Sequence, residues 1–292
     1  MRLSAAQLTQ VQDKNGKRTY YPSYFADSGQ RVYEENRKHS VYLKLNQCSP
    51  AFFNKLEETI KAKIRRHSVD TFVQEYKAKH PTEIVPSTKT VYRYILSGLI
   101  SIKPIDLPKM VSIRKRTRTK TTVNKKTLGK SIEERPETVY NRSECGHWEI
   151  DLVLGKKTKG EAVVMTLVER QTRFALAYKL PNKEAKTINE AVQGLIQLYP
   201  IASITADNGS EFSLLSELTD IEVYFAHPYS SHERGSNENF NGLLREFFPK
   251  GKSLNPLTDE ELAQYLSAIN DRPRRFHCYK TSKFLFGLAQ TA

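Results

Sequence analysis

A chain of 292 residues with 38% apolar content, 13 Phe and 15 Tyr is long enough for two domains and apolar enough to fill a core, which excludes a disordered chain. No apolar run approaches the roughly 18 residues a membrane span needs, and no charged-then-apolar leader opens the chain, so a cytoplasmic protein is expected. Cys48, Cys145 and Cys278 are far apart and form no CxxC pair, which argues against a disulfide framework or a zinc site. Net charge is +14: residues 1–130 hold 27 of the 46 bases and 10 of the 32 acids, or +17, leaving 19 bases against 22 acids, or −3, in the rest. That asymmetry fits a polyanion-binding module joined to a near-neutral globular one, with nucleic acid as the partner; the plainer alternative is a solvated basic surface.

Residues 1–50 are polar and Tyr-rich, and their pattern supports only a helix around 24–38. From 51 to 66, Phe52, Phe53, Leu56, Ile60 and Ile64 recur at mostly helical spacing. Residues 68–99 read as a helix over 70–79, a turn from Pro81 to Pro86, and a second helix opened by Ser87 or Thr88 and closed by Gly98. The second helix carries Lys89, Arg93, Tyr92 and Tyr94, which suits a helix-turn-helix reading the major groove, although a plain helical hairpin has the same pattern. Residues 111–130 hold eight bases and no acid, without apolar periodicity. Arg114, Lys115, Arg116, Arg118 and Lys120 make this stretch a linker that tracks DNA phosphates. The expected division is a helical DNA-binding region over 1–102, a basic linker over 103–140 and a catalytic domain over 141–292.

From residue 147 the texture becomes α/β. Strands are expected over 147–154, 161–170 and 172–180, the last two joined by a tight turn near Gln171, so that the three form an antiparallel meander. A helix over 183–199 follows, then strands over 202–209 and 222–228, a helix on the stripe Phe240, Leu243, Leu244, Phe247 and Phe248, and a helix over 259–270 with Thr258 and Glu261 as its capping box. This order makes a mixed sheet flanked by helices.

Three carboxylates fall where such a sheet exposes them. Asp151 lies mid-strand among Ile150, Leu152 and Val153, where ionisation is costly without a compensating cation. Asp207 ends its strand ahead of Asn208 and Gly209, at the edge where open α/β sheets place ligands. Glu238 arrives near the start of the next helix, among Gly235, Ser236, Asn237 and Asn239, which favour caps and turns over helix interiors. With no evident Lys or Arg partner, the three suit hard divalent cations. Each also has a structural alternative: an edge-strand surface residue, an Asx turn, and a helix N-terminal charge favourable to the dipole. An ideal wheel sets Glu238 nearly opposite the apolar stripe, so either the helix begins later or its apolar face packs away from the sheet. Glu149 shares a strand face with Asp151 and is read as structural or DNA-facing rather than as a ligand. Trp148 is assigned to the core, and His147, His227 and His232 do not fall at zinc spacing.

In chain order, "GHWEIDLV", "LVERQTR", "TADNGSEF", "YFAHPYSSHERGSNENFNGLLREFFPKG" and "INDRPRR" resemble the catalytic domain of insertion-sequence transposases of family thirty. The resemblance covers roughly residues 131–290. It implies the D-D-E group with a ribonuclease-H-like integrase core, a triad of Asp151, Asp207 and Glu238 holding Mg²⁺ (with Mn²⁺ able to substitute), and Arg245 as a basic residue on the face of Glu238 that holds a DNA phosphate. It further implies strand cleavage at element ends, transfer of the 3′-hydroxyl into target DNA, and a homo-oligomer on double-stranded DNA in the bacterial nucleoid. Two ions held roughly 3.5–4 Å apart by three carboxylates suit in-line displacement at phosphorus with no protein nucleophile. Family members begin with a further helix-turn-helix that is not found before residue 20, so a shortened N-terminus is expected. The rival readings are a catalytically silent DNA-binding remnant acting as a regulator and a Mg²⁺-dependent nuclease of the same fold.

Overall fold

The computed structural model describes residues 6–24, 26–108, 128–227 and 231–291. Arg114, Lys115, Arg116, Arg118 and Lys120, and with them the core of the basic linker, lie outside these residues.

The chain opens with a hairpin of β1 (Ala6–Gln12) and β2 (Arg18–Tyr24), which the sequence reading did not assign. Its turn is built from local rules: the Asp13 carboxylate accepts the Asn15 and Lys17 amides at 2.9 and 2.8 Å, and Gly16 takes the positive φ of 80° that Asn-Gly turns use. Helix α1 (Ala26–Asn46) follows, extending beyond the expected 24–38. Helices α2 (Pro50–Lys61), α3 (Val69–Lys79) and α4 (Thr88–Leu96) then close a small core of Phe52, Leu56, Ile60, Val73, Val91 and Ile95. Ser68 and Thr71 cap α3 reciprocally, Ser87 accepts the Thr90 amide to open α4, and Gly98 leaves it at φ 66°. Lys89 and Arg93 lie one turn apart on the exposed side of α4, whereas Tyr94 turns into the core.

A six-stranded sheet carries the rest. In spatial order it runs β3 (Lys130–Ser131), β8 (Glu222–Phe225), β7 (Ser203–Ala206), β4 (His147–Leu154), β5 (Val163–Glu169) and β6 (Ala175–Leu180). The β4–β5–β6 meander is antiparallel, while β4, β7, β8 and β3 run parallel. Glu169 closes the β5–β6 turn by accepting from the Gln171 and Thr172 amides. Segment 130–140, assigned above to the linker, is part of this body: β3 extends the sheet, Val139 of α5 (Glu137–Asn141) is buried, and Arg135 reaches Thr205 Oγ1 at 3.2 Å.

Alternation along β4 divides two cores. Trp148 and Ile150 face Met165, Leu167, α6 (Ala185–Ile196) and Phe286 of the C-terminal α9 (Ser282–Thr291). Val153, Val164 and Ala177 face α7 (Gly235–Leu244) and α8 (Asp259–Asn270). The expected Thr258–Glu261 capping box opens α8, and Asn270 at its end pairs with the Ala175 amide and carbonyl at 3.0 and 2.8 Å, satisfying the edge of β6.

Candidate active site

Register brings the two aspartates together. Glu149 on β4 pairs with Thr205 on β7 in parallel, so Asp207, one residue past β7, lies beside Asp151. Asp151 Oδ1 accepts the Leu152 amide at 2.9 Å and its Oδ2 accepts Asn241 Nδ2 at 2.9 Å. Asp207 Oδ1 accepts the Gly209 amide at 3.0 Å, so the Asx-turn geometry occupies one carboxylate oxygen and leaves Oδ2 for another partner. A Cβ on Gly209 would meet that Oδ1 at 2.9 Å and Glu211 Oε2 at 2.7 Å, which explains the glycine.

Arg234 occupies the gap. Its Nη2 donates to Asp207 Oδ2 at 3.1 Å, while Nη1 donates to the Ile150 carbonyl at 3.2 Å and stands 3.6 Å from Asp151 Oδ1. This corrects the expectation of carboxylates without a basic partner. Burial pushes the Asp151 carboxyl above its ordinary range and Asp207 adds to the rise, while Arg234 and the Leu152 amide oppose it. The sequence signal for Arg234 was its position four residues, one helical turn, before Glu238.

Glu238 is exposed, and among the described residues no group of three acidic, His or Cys side chains is gathered closely enough to hold a metal ion. The structure therefore brings Asp151 and Asp207 together around Arg234 and does not gather Glu238 with them. Both proposed escapes from the wheel difficulty fail. Helix α7 begins at Gly235, and its buried residues Ser236, Asn237, Phe240 and Leu244 pack toward the sheet. The stripe was miscentred because Phe247 and Phe248 lie beyond the helix, in a turn closed by bonds from the Glu246 and Phe247 amides to Leu243 and Leu244, ahead of Pro249. Glu238 is roughly a third of a turn from the buried positions, on the face shared by Arg234, Asn241 and Arg245. The first two of these contact Asp151.

Arg245, expected to hold a phosphate, donates Nη2 to the Leu154 carbonyl at 2.7 Å, and burial lowers its pKa. It ties the end of α7 to the end of β4. The start of α7 is tied by Glu149, which is 0% exposed and accepts from Arg170 Nη1 at 2.5 Å, Ser236 Oγ at 3.0 Å and the Asn237 amide at 3.0 Å. Glu149 is thus structural, as one branch of the sequence reading had it. Arg170 also reaches the Val139 carbonyl, and Arg173 reaches Ser236 Oγ. His147 bonds Ser203 Oγ, and His227 sits between Glu233 and Glu133.

A family model for the integrase core domain matches residues 141–231. The chain is 37% identical over 161 residues to the transposase InsI of insertion sequence element IS30A from Escherichia coli K12, a match covering 53% of this chain and 41% of that protein's length. The catalytic core domain of BIV integrase aligns over 50% of this chain and 96% of its own, at 18% identity and a TM-score of 0.39. Over 291 residues the chain is 53% identical to the probable transposase for insertion-like sequence element IS1161 of Streptococcus salivarius, covering 99% of this chain and 85% of that one. Likeness of that degree along nearly the whole chain makes it a member of the insertion-sequence transposases of family thirty, and so a DNA transposase.

Proposed function

We propose that the enzyme cleaves DNA strands at the ends of its element and transfers the 3′-hydroxyl into target DNA, using Asp151, Asp207 and Glu238. The observation that carries this is the Arg234 guanidinium lodged between Asp151 and Asp207, since a gap that seats a cation between two oxygen donors fits a hard divalent ion such as Mg²⁺ or Mn²⁺. Asp151 and Asp207 would hold the metal, and Glu238, on the same helix as Asn241, would complete the set by a side-chain rotation. Ions bound there supply Lewis acidity and lower the pKa of a water or hydroxyl for in-line displacement at phosphorus.

The remaining roles belong to the chain itself. Asn241 fixes the Asp151 carboxylate, with Thr166 Oγ1 in turn donating to Asn241 Oδ1 at 3.2 Å. Glu149 and Arg245 pin the two ends of α7 so that Glu238 approaches β4 at a set height. The helical unit within residues 1–102 binds duplex DNA through α4, with Lys89 and Arg93 toward phosphates or base edges, and the basic linker follows the strand into the catalytic domain, whose sheet begins at Lys130. Pairing two element ends calls for two or more copies on the DNA.

The test is strand cleavage and joining on labelled DNA bearing the element's ends, with Mg²⁺ or Ca²⁺, for wild type and Glu238→Gln. Mg²⁺-dependent nicking with a joined product, lost in the variant, is expected. Tight binding without cleavage would replace this reading with that of a silent DNA-binding remnant, and cleavage without joining would replace it with that of a nuclease.

A further inference from the structure

We propose that Arg234 is a built-in place-holder for the divalent cation: its guanidinium occupies the gap between Asp151 and Asp207 and must leave that gap for a cation to enter. The inference rests on reading the two aspartates as cation ligands, and goes beyond it in assigning the competing group.

Three observations carry it. The first is position. Arg234 contacts both aspartates at once, at 3.1 Å from Asp207 Oδ2 and 3.6 Å from Asp151 Oδ1, with its side chain only 13% exposed. A divalent ion bound to those oxygens would meet a guanidinium in the same gap, and like charges at that separation repel strongly in a partly buried site.

The second is the quality of the seat. Arg170, the residue that follows β5, is held as a permanent fixture: Nη1 lies 2.5 Å from Glu149 and Nε donates to the Val139 carbonyl, all buried. The nearest carboxylate contact of Arg234 is 3.1 Å, and its Nε is buried with no hydrogen-bond partner among the described residues. A guanidinium that leaves one of its donors unsatisfied gives up less on departure than one whose donors are matched.

The third is the anchor. Arg234 stands at φ −115° and ψ 42°, at the junction between the short 3₁₀ turn Ser231–Arg234 and α7, rather than inside a helix. Its side chain can swing out without unwinding a helical turn, whereas Glu238 and Asn241 ride on the helix body. The seat has a purpose while no cation is bound: two carboxylates that share a gap destabilise one another, and Arg234 offsets that repulsion. Entry of the cation and exit of Arg234 are then one exchange.

The experiment measures Mn²⁺ binding to the full chain without DNA, by calorimetry, and thermal unfolding with and without Mn²⁺, for wild type, Arg234→Gln, Arg234→Lys and Asp207→Asn. Removing the competitor should tighten Mn²⁺ binding about tenfold in Arg234→Gln, the worth of one charge-assisted hydrogen bond no longer given up, and by a smaller factor in Arg234→Lys, which retains charge but not the fork. The metal-free thermal midpoint of Arg234→Gln should fall, and Mn²⁺ should restore it. Unchanged or weaker Mn²⁺ binding in both Arg234 variants, with binding abolished in Asp207→Asn, would overturn the place-holder and leave the metal site standing. Wild-type binding in Asp207→Asn would overturn the metal site itself, and the place-holder with it.

Discussion

Replacing Glu149 by Ala should be among the most destabilising single changes in the catalytic domain. The carboxylate is fully buried and carries three hydrogen bonds, from Arg170, Ser236 Oγ and the Asn237 amide. Its loss strands the Arg170 guanidinium, whose side chain is 5% exposed, with only the Val139 carbonyl as a named partner. Removing one member of a buried ion pair costs about 3–5 kcal/mol. An orphaned amide in the first turn of α7 adds to this, as losing a helix cap costs about 1 kcal/mol. A net loss of about 4 kcal/mol corresponds to a fall in thermal midpoint of roughly 8–16 °C for a domain of this size. The only Trp, Trp148, is 0% exposed next to Glu149 on β4, so its fluorescence reports the unfolding directly, with urea midpoints as a second measure. A double variant, Glu149→Leu with Arg170→Met, exchanges the pair for apolar groups and should recover most of the loss. A loss under about 1 kcal/mol in Glu149→Ala, or a double variant no better than the single one, would refute the view that this ion pair holds α7 to the sheet.

Gly209→Ala sets a methyl 2.9 Å from Asp207 Oδ1, which must shift, so cleavage should fall at least tenfold while thermal stability changes little; full activity would show that Asp207 tolerates the displacement. Lys89→Ala and Arg93→Ala should each weaken duplex binding and reduce the slope of log affinity against log salt by about one, and unchanged slopes would remove α4 from the DNA interface. His227 is held above its ordinary pKa of about 6.5, first by its hydrogen bond to Glu233 and also by Glu133. Its contribution to stability is therefore complete below pH 6.5 and is lost as pH rises through the elevated value. The thermal midpoint of wild type minus that of His227→Gln should shrink between pH 6 and 8.5; a difference that widens with pH would contradict the assigned partners.

Local chemistry was legible in the linear chain wherever the interacting groups lie within about one helical turn of each other. Ser68 with Thr71, Ser87 ahead of α4, Thr258 with Glu261, and Gly98 all act within a few residues, and their helices begin and end where those residues direct. The Asn15-Gly16 turn is equally local and could have announced the first hairpin, but the strands on either side are polar and lack clean alternation. Apolar runs and the positions of Asp151 and Asp207 sufficed for the meander and for two of the candidate ligands, because strand periodicity and strand-end turns are short-range features.

Tertiary structure decided what depends on groups far apart in sequence. Arg234 finds Asp151 across 83 residues, Arg245 finds the Leu154 carbonyl across 91, and Glu149 closes on Asn237 across 88. None of these pairings has a spacing rule, since each follows from the packing of α7 and the turn before it against β4. The end of α7 was hidden for the same reason. Phe247 and Phe248 continue an apolar stripe on paper, yet they pack from a turn rather than a helix because the helix has already met β4, β5 and α8. The sequence by itself determined where most of the strands and helices of the catalytic domain lie. Only the folded chain decided which charges share a gap, because electrostatic partners are set by distance through space and not by distance along the backbone.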